Sequence, residues 1–173
     1  MEKSKNSLVL VSILMVAGLA IMIHARAATV VTATVTVRSL AVSLTPTSFD
    51  YGTMDSNTSS STLQMFAGAG IVVTNDGSVN EDFYLTGSDT GAWTINTAVA
   101  SNVYVHKFCN DTDDDCTSPP TSYTNMSTGA TPLDTAIAED GTTAFQLRIT
   151  TPNPSTIFTS QEPTVTVTAS ASS

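Results

Sequence analysis

Cations are what this chain lacks most: six Lys and Arg stand against fifteen Asp and Glu in 173 residues. Three of the six, Lys3, Lys5 and Arg26, lie near the start, and only Arg38, Lys107 and Arg148 follow. A body so poor in positive charge excludes nucleic acid and anionic membrane surfaces as partners, because both require Lys and Arg to displace their counterions. Histidine is almost as scarce, with His106 alone in the body of the chain. No nucleophile and orienting group accompany that imidazole, and there is no phosphate-cradling glycine loop and no zinc motif. The adjacent carboxylates Glu81 and Asp82, and Glu139 and Asp140, point to different faces or sit at turns, so neither pair spans a cleft as acid and base. These shortages argue against an enzyme. Amphipathic helices are missing too: past the first segment, no stretch repeats apolar residues at i, i+3, i+4 and i+7.

What is present begins with an export segment. Lys3 and Lys5 precede an almost unbroken apolar run over residues 8–23, and Ala25 and Ala27 supply the small residues that a signal peptidase reads. Residues 1–27 therefore read as a secretory signal peptide cleaved after Ala27. The alternative is an uncleaved anchor, since residues 7–23 come close to the lower limit of about 17 residues for a bilayer span. Cleavage leaves three cations against fourteen carboxylates, a net charge of −11, on a secreted or cell-surface protein with no further membrane contact. The remaining body is rich in Thr, Ser, Val, Ala and Asn. Thr and Val are β-branched, fit a pleated surface and lose rotamer freedom in helices. About 146 residues make one domain with room for a core.

The pattern of alternation divides that body. Residues 29–37 read as a strand with Val31, Ala33, Val35 and Val37 on one face and Thr32, Thr34 and Thr36 on the other. Leu40, Val42 and Leu44 continue in the opposite phase. Because side chains alternate with period two, the shift at Arg38 and Ser39 implies a bulge or a change of sheet. Residues 28–39 are accordingly set apart from a single domain over 40–173. Within that domain, residues 63–74 read as a strand bent at Gly68 and Gly70, and residues 75–78 as a turn. Further strands are expected over 82–86, 92–96, 102–108, 143–150 and 164–171, with an irregular middle between 109 and 142. In 143–150, Phe145, Leu147 and Ile149 point inward and Gln146 and Arg148 outward. Short strands separated by turns at intervals near ten residues predict an all-β fold, an antiparallel sandwich of Ig-like or jelly-roll type.

Residues 44–54, Leu-Thr-Pro-Thr-Ser-Phe-Asp-Tyr-Gly-Thr-Met, are followed after a polar loop by Ile-Val-Val-Thr-Asn-Asp-Gly-Ser over 71–78. A proline, an aromatic-Gly pair and a strand ending in Val-Thr-Asn-x-Gly resemble the opening of Ig-like domains of the ASH and PapD-like type. The resemblance spans residues 42–96 and implies a fold only; Tyr51 stands where phenylalanine is more usual. The layout of export signal, early Thr/Val-rich strand and strand ending in Asn-x-Gly is also similar to camelysin-type (TasA-like) secreted fibre subunits.

Several residues carry specific expectations. Cys109 and Cys116 are the only cysteines and predict one disulfide in an exported chain; the rival is a metal site built from His106, Cys109 and Cys116. Between them, Asp111, Asp113 and Asp115 place carboxylates at alternate positions, as a hard cation such as Ca²⁺ requires, although an EF-hand glycine and a closing Glu are absent. A solvated acidic loop is the plainer reading. Trp93, Tyr84 and Tyr104 offer either a sugar-stacking surface or core filling. Asn57, Asn110 and Asn125 head N-glycosylation sequons. Two functions fit. One is a self-assembling subunit of an extracellular filament or surface layer, in which residues 29–37 add as a strand to a neighbour. The other is a cell-surface module binding calcium, glycan or protein through residues 111–115. In the first case Val31, Ala33, Val35 and Val37 are the assembly residues. The same segment could instead be an ordinary first strand of its own domain.

Overall fold

Period-two alternation of apolar residues builds the two layers of this fold. The computed structural model describes residues 32–68, 70–112, 116 and 123–173. The chain divides into two units, Met1–Thr36 and Val37–Ser173. Residues 1–27, read from the sequence as a signal peptide, and Val31 lie outside the described residues, and of the first unit only residues 32–36 are described.

The second unit is a β-sandwich. Its larger sheet runs β1 (Val42–Thr45), β3 (Ile71–Asn75), β9 (Thr142–Thr150), β6 (Val103–Asn110) and β5 (Thr94–Ile95). Two short strands join it, β2 (Ser59–Ser61) on β9 and β7 (Thr124–Asn125) on β6. The smaller sheet runs β10 (Val165–Ala171), β4 (Glu81–Gly87) and β8 (Thr131–Ile137). All pairings are antiparallel except β5 with β6. Val73, Phe145 and Leu147 from one sheet meet Phe83, Leu85 and Val167 from the other in one buried cluster. At about 25 cal/mol per Å² of apolar surface removed from water, such a cluster is the main term holding the layers together.

Several expected strands are placed differently. The run over 63–74 is interrupted: β2 pairs with the far part of β9, a helical turn α1 (Thr62–Met65) loops out, and β3 resumes on the near part of β9. Gly68 and Gly70 both take positive φ in that excursion, which explains why glycine recurs there. The excursion also covers Gln146. Its side chain points away from the core cluster yet is fully buried, with Thr62 Oγ1 donating to its Oε1 at 2.7 Å. The irregular middle contains β8, hidden in sequence by Pro132 and Asp134. Pro in a strand marks an edge, and β8 is an edge. The strand read over 92–96 shrinks to β5. Residues 32–41 belong to no strand, since alternation alone supplies no partner for backbone hydrogen bonds.

Candidate functional site

The most elaborate polar construction in the domain holds the root of the N-terminal segment. Asn75, at the end of β3, is fully buried. Its Nδ2 donates to Val79 O and Ile137 O, both at 2.8 Å, and its Oδ1 accepts Gly77 N at 2.8 Å. This side chain shapes the crossing from β3 in one sheet to β4 in the other. Residues 39–41 lie along that crossing. Asp76 N donates to Ala41 O at 2.9 Å, Ser78 N to Ser39 O at 3.0 Å, and Ser39 N to Ser78 Oγ at 3.0 Å. Ala41 N donates to Glu81 Oε1 at 2.9 Å. Glu81 is a fully buried carboxylate-bearing residue at the start of β4; Oε1 accepts from Ala41 N, whereas Oε2 is buried without a hydrogen-bond partner among the described residues, so the cost of burying this side chain is only partly offset. A Cβ on Gly77 would lie 2.7 Å from Ser39 O and closer still to Glu81 Oε1, so only glycine lets the root pass this close.

Before the root, the chain is exposed. Every residue from 32 to 41 is solvent-exposed, with Val35 at 84% and Val37 at 80%. The segment carries no charge over residues 28–37 and ends at Arg38. Two β-branched apolar side chains are therefore presented to water on a stretch whose backbone lacks a ladder.

The cysteines form a disulfide, with their Cα atoms 5.9 Å apart. Bonded sulfurs cannot act as thiolate ligands, and this overturns the rival metal site. His106 is turned to other work. It is buried at 1% exposure on β6, and its Nε2 lies 3.0 Å from Tyr51 Oη. Burial pulls its pKa from 6.5 down to about 4, so the ring is neutral. Burial likewise pushes the Tyr51 phenol far up, with smaller contributions from Tyr123 and Tyr104. Within the acidic loop, Asp111 Oδ2 accepts Gln146 Nε2 at 2.9 Å, which ties this carboxylate to β9. Asp113 and Asp115 lie outside the described residues. Among the described residues, no three His, Cys, Asp or Glu are grouped to hold a metal ion.

The aromatic trio is not brought together. Tyr104 is fully buried, with its hydroxyl donating to Ser88 O, and half-buried Trp93 packs against it with centroids 6.2 Å apart. Tyr84 alternates with the core residues Phe83 and Leu85 on β4 and so faces the opposite side of that sheet. Of the sequon residues, Asn57 is exposed and Asn125 half-buried in β7. Asn110 is buried, and its Nδ2, the atom a glycan would occupy, donates to Leu133 O at 3.1 Å.

No family model, curated protein or solved structure matches this chain. The chain is a disulfide-bearing β-sandwich. The bridge is compatible with an oxidising compartment. Among the described residues, no helix is long and apolar enough to cross a membrane. Sequence reasoning missed Glu81 and Asn75 as organisers of the root. The Asn-Asp-Gly-Ser signal marked a turn at 75–78, but nothing local said that residues 39–41 would lie against it.

Proposed function

We propose that this protein is a secreted structural subunit of an extracellular filament or surface layer, assembled by strand donation between copies. The observation that carries the reading is the exposed segment at 32–37: uncharged, β-branched, alternating, without a ladder among the described residues, and tied to the sandwich at residues 39–41. Such a segment satisfies its backbone and buries its valines only by adding to another sheet. Repeated head to tail, that contact gives an open polymer. The reading is non-enzymatic, and it is supported by the neutral, buried state of the one described histidine. The sandwich itself is of the Ig-like, ASH/PapD-like kind, a reading supported by the Pro46, Tyr51-Gly52 and Asn75-Asp76-Gly77 opening. Negative-stain microscopy of the secreted protein tests the assembly: filaments or sheets are expected. Monodisperse particles at all concentrations would sink it and favour the cell-surface binding module instead.

A further inference from the structure

Among the described residues, the edges of the two sheets are not equally protected. A free strand edge offers unpaired N–H and C=O groups, and proteins blunt such edges with proline, charge, bulges or short length. β8 has all but the last: Pro132, Asp134, register shifts against β4, and Ala136 at a φ of 57°. β1 has four residues and runs into Pro46, and β5 and β7 have two each. β10 is different. It pairs with β4 in unbroken register over seven residues, Val-Thr-Val-Thr-Ala-Ser-Ala, with no proline and no charge.

Read backwards from Val37 to Val31, the N-terminal segment is Val-Thr-Val-Thr-Ala-Thr-Val. It matches β10 at five of seven positions, and the other two are Thr for Ser and Val for Ala. Antiparallel pairing therefore sets Val37 opposite Val165, Val35 opposite Val167 and Ala33 opposite Ala169, all on the side where β10 packs on the core. Thr36, Thr34 and Thr32 then face Thr166, Thr168 and Ser170 on the solvent side, where hydroxyl pairs are favourable cross-strand neighbours. In the same register Arg38 lies opposite Thr164 and diagonal to Glu162, so one of the few cations meets a carboxylate.

We infer that the unprotected edge of β10 is the acceptor for residues 31–37 of a second copy, paired antiparallel with Val35 opposite Val167. The inference rests on the strand-donation reading and names its docking site. The donor cannot be the chain's own segment. Ala41 is bound to Glu81, and Glu81 pairs with Ala171 at one end of β10, whereas the register needs Arg38 beside Thr164 at the other end. Six strand residues separate those ends, roughly 20 Å at about 3.4 Å per residue. A chain turning back along its own β10 from the root could run only parallel to it.

Variants of the full chain, residues 1–27 included, that each carry one cysteine added to the bridged Cys109–Cys116 pair test the register. Thr36→Cys mixed with Thr166→Cys should give an intermolecular disulfide under mild oxidation, mapped by peptide mass spectrometry. Thr36→Cys mixed with Ser170→Cys, the partner in a parallel arrangement, should give at least tenfold less. Linkage of the second mixture in place of the first overturns the inference. So does linkage of neither while the wild-type chain still polymerises, and in that case strand donation stands with another acceptor. A wild-type chain that stays monomeric overturns the donation reading and this inference together.

Discussion

Replacing Val35 by Asp separates a donated strand from an ordinary first strand. In the monomer Val35 is 84% exposed, so the change removes almost no buried surface there. Surface substitutions of this kind alter stability by within about 0.5 kcal/mol, a melting shift under about 2 °C for a domain of this size. In the proposed assembly the same side chain lies against a neighbour's sheet. Losing a fully buried valine costs about 1.5–3 kcal/mol, and placing a carboxyl there without a partner adds several more. A total of at least about 4 kcal/mol weakens each subunit contact a thousandfold or more, at about 1.4 kcal/mol per factor of ten. At a dilution where wild type is also monomeric, thermal melting should therefore be unchanged, because assembly itself stabilises the folded chain, while at working concentration sedimentation and microscopy of the variant show only monomers. A fall in melting temperature of ten degrees at that dilution would mean that Val35 belongs to its own domain's core. Filaments persisting with Val35→Asp would remove this segment as the donor.

The neutral, buried His106 makes stability depend on pH: its folded pKa lies near 4 and its unfolded value near 6.5, so the unfolded chain binds the proton first. Stability attributable to this ring is full above pH 6.5 and is lost progressively toward pH 4, by up to about 3 kcal/mol. Denaturation of wild type and His106→Gln across that range should converge on acidification, and parallel curves would refute the assignment. Intact mass should fall two units below the reduced value, and reduction should cost about 2–3 kcal/mol while the sandwich stays folded, because the bridge spans a short loop. Gly77→Ala should cost about 1–3 kcal/mol and speed hydrogen exchange at Ala41 and Ser78, since the new methyl meets Ser39 O. Unchanged exchange at both amides would show that the root is not held there.

Alternation made most of the sandwich legible. Phe83 and Leu85, or Phe145 and Leu147, are two residues apart because one face of a strand is buried, and that period can be read without coordinates. The two cysteines of the sequence likewise announced their bridge. What escaped were features whose meaning depends on a partner distant in sequence. β8 looked irregular because Pro132 and Asp134 suit only an edge, and edges are defined by what does not pair. Gln146 read as an outward polar residue, and the α1 excursion buried it.

Composition and period by themselves determined a β-rich body, its inward residues and its lack of positive charge, because those depend on local sterics and on counting. Only the tertiary structure decided which edge is bare among the described residues, that Asn75 and Glu81 hold residues 39–41, and that residues 32–37 have no ladder there. The reason is that a backbone hydrogen bond between strands joins residues dozens of positions apart. The sequence of either strand alone says that it can pair, and the fold says whether it has.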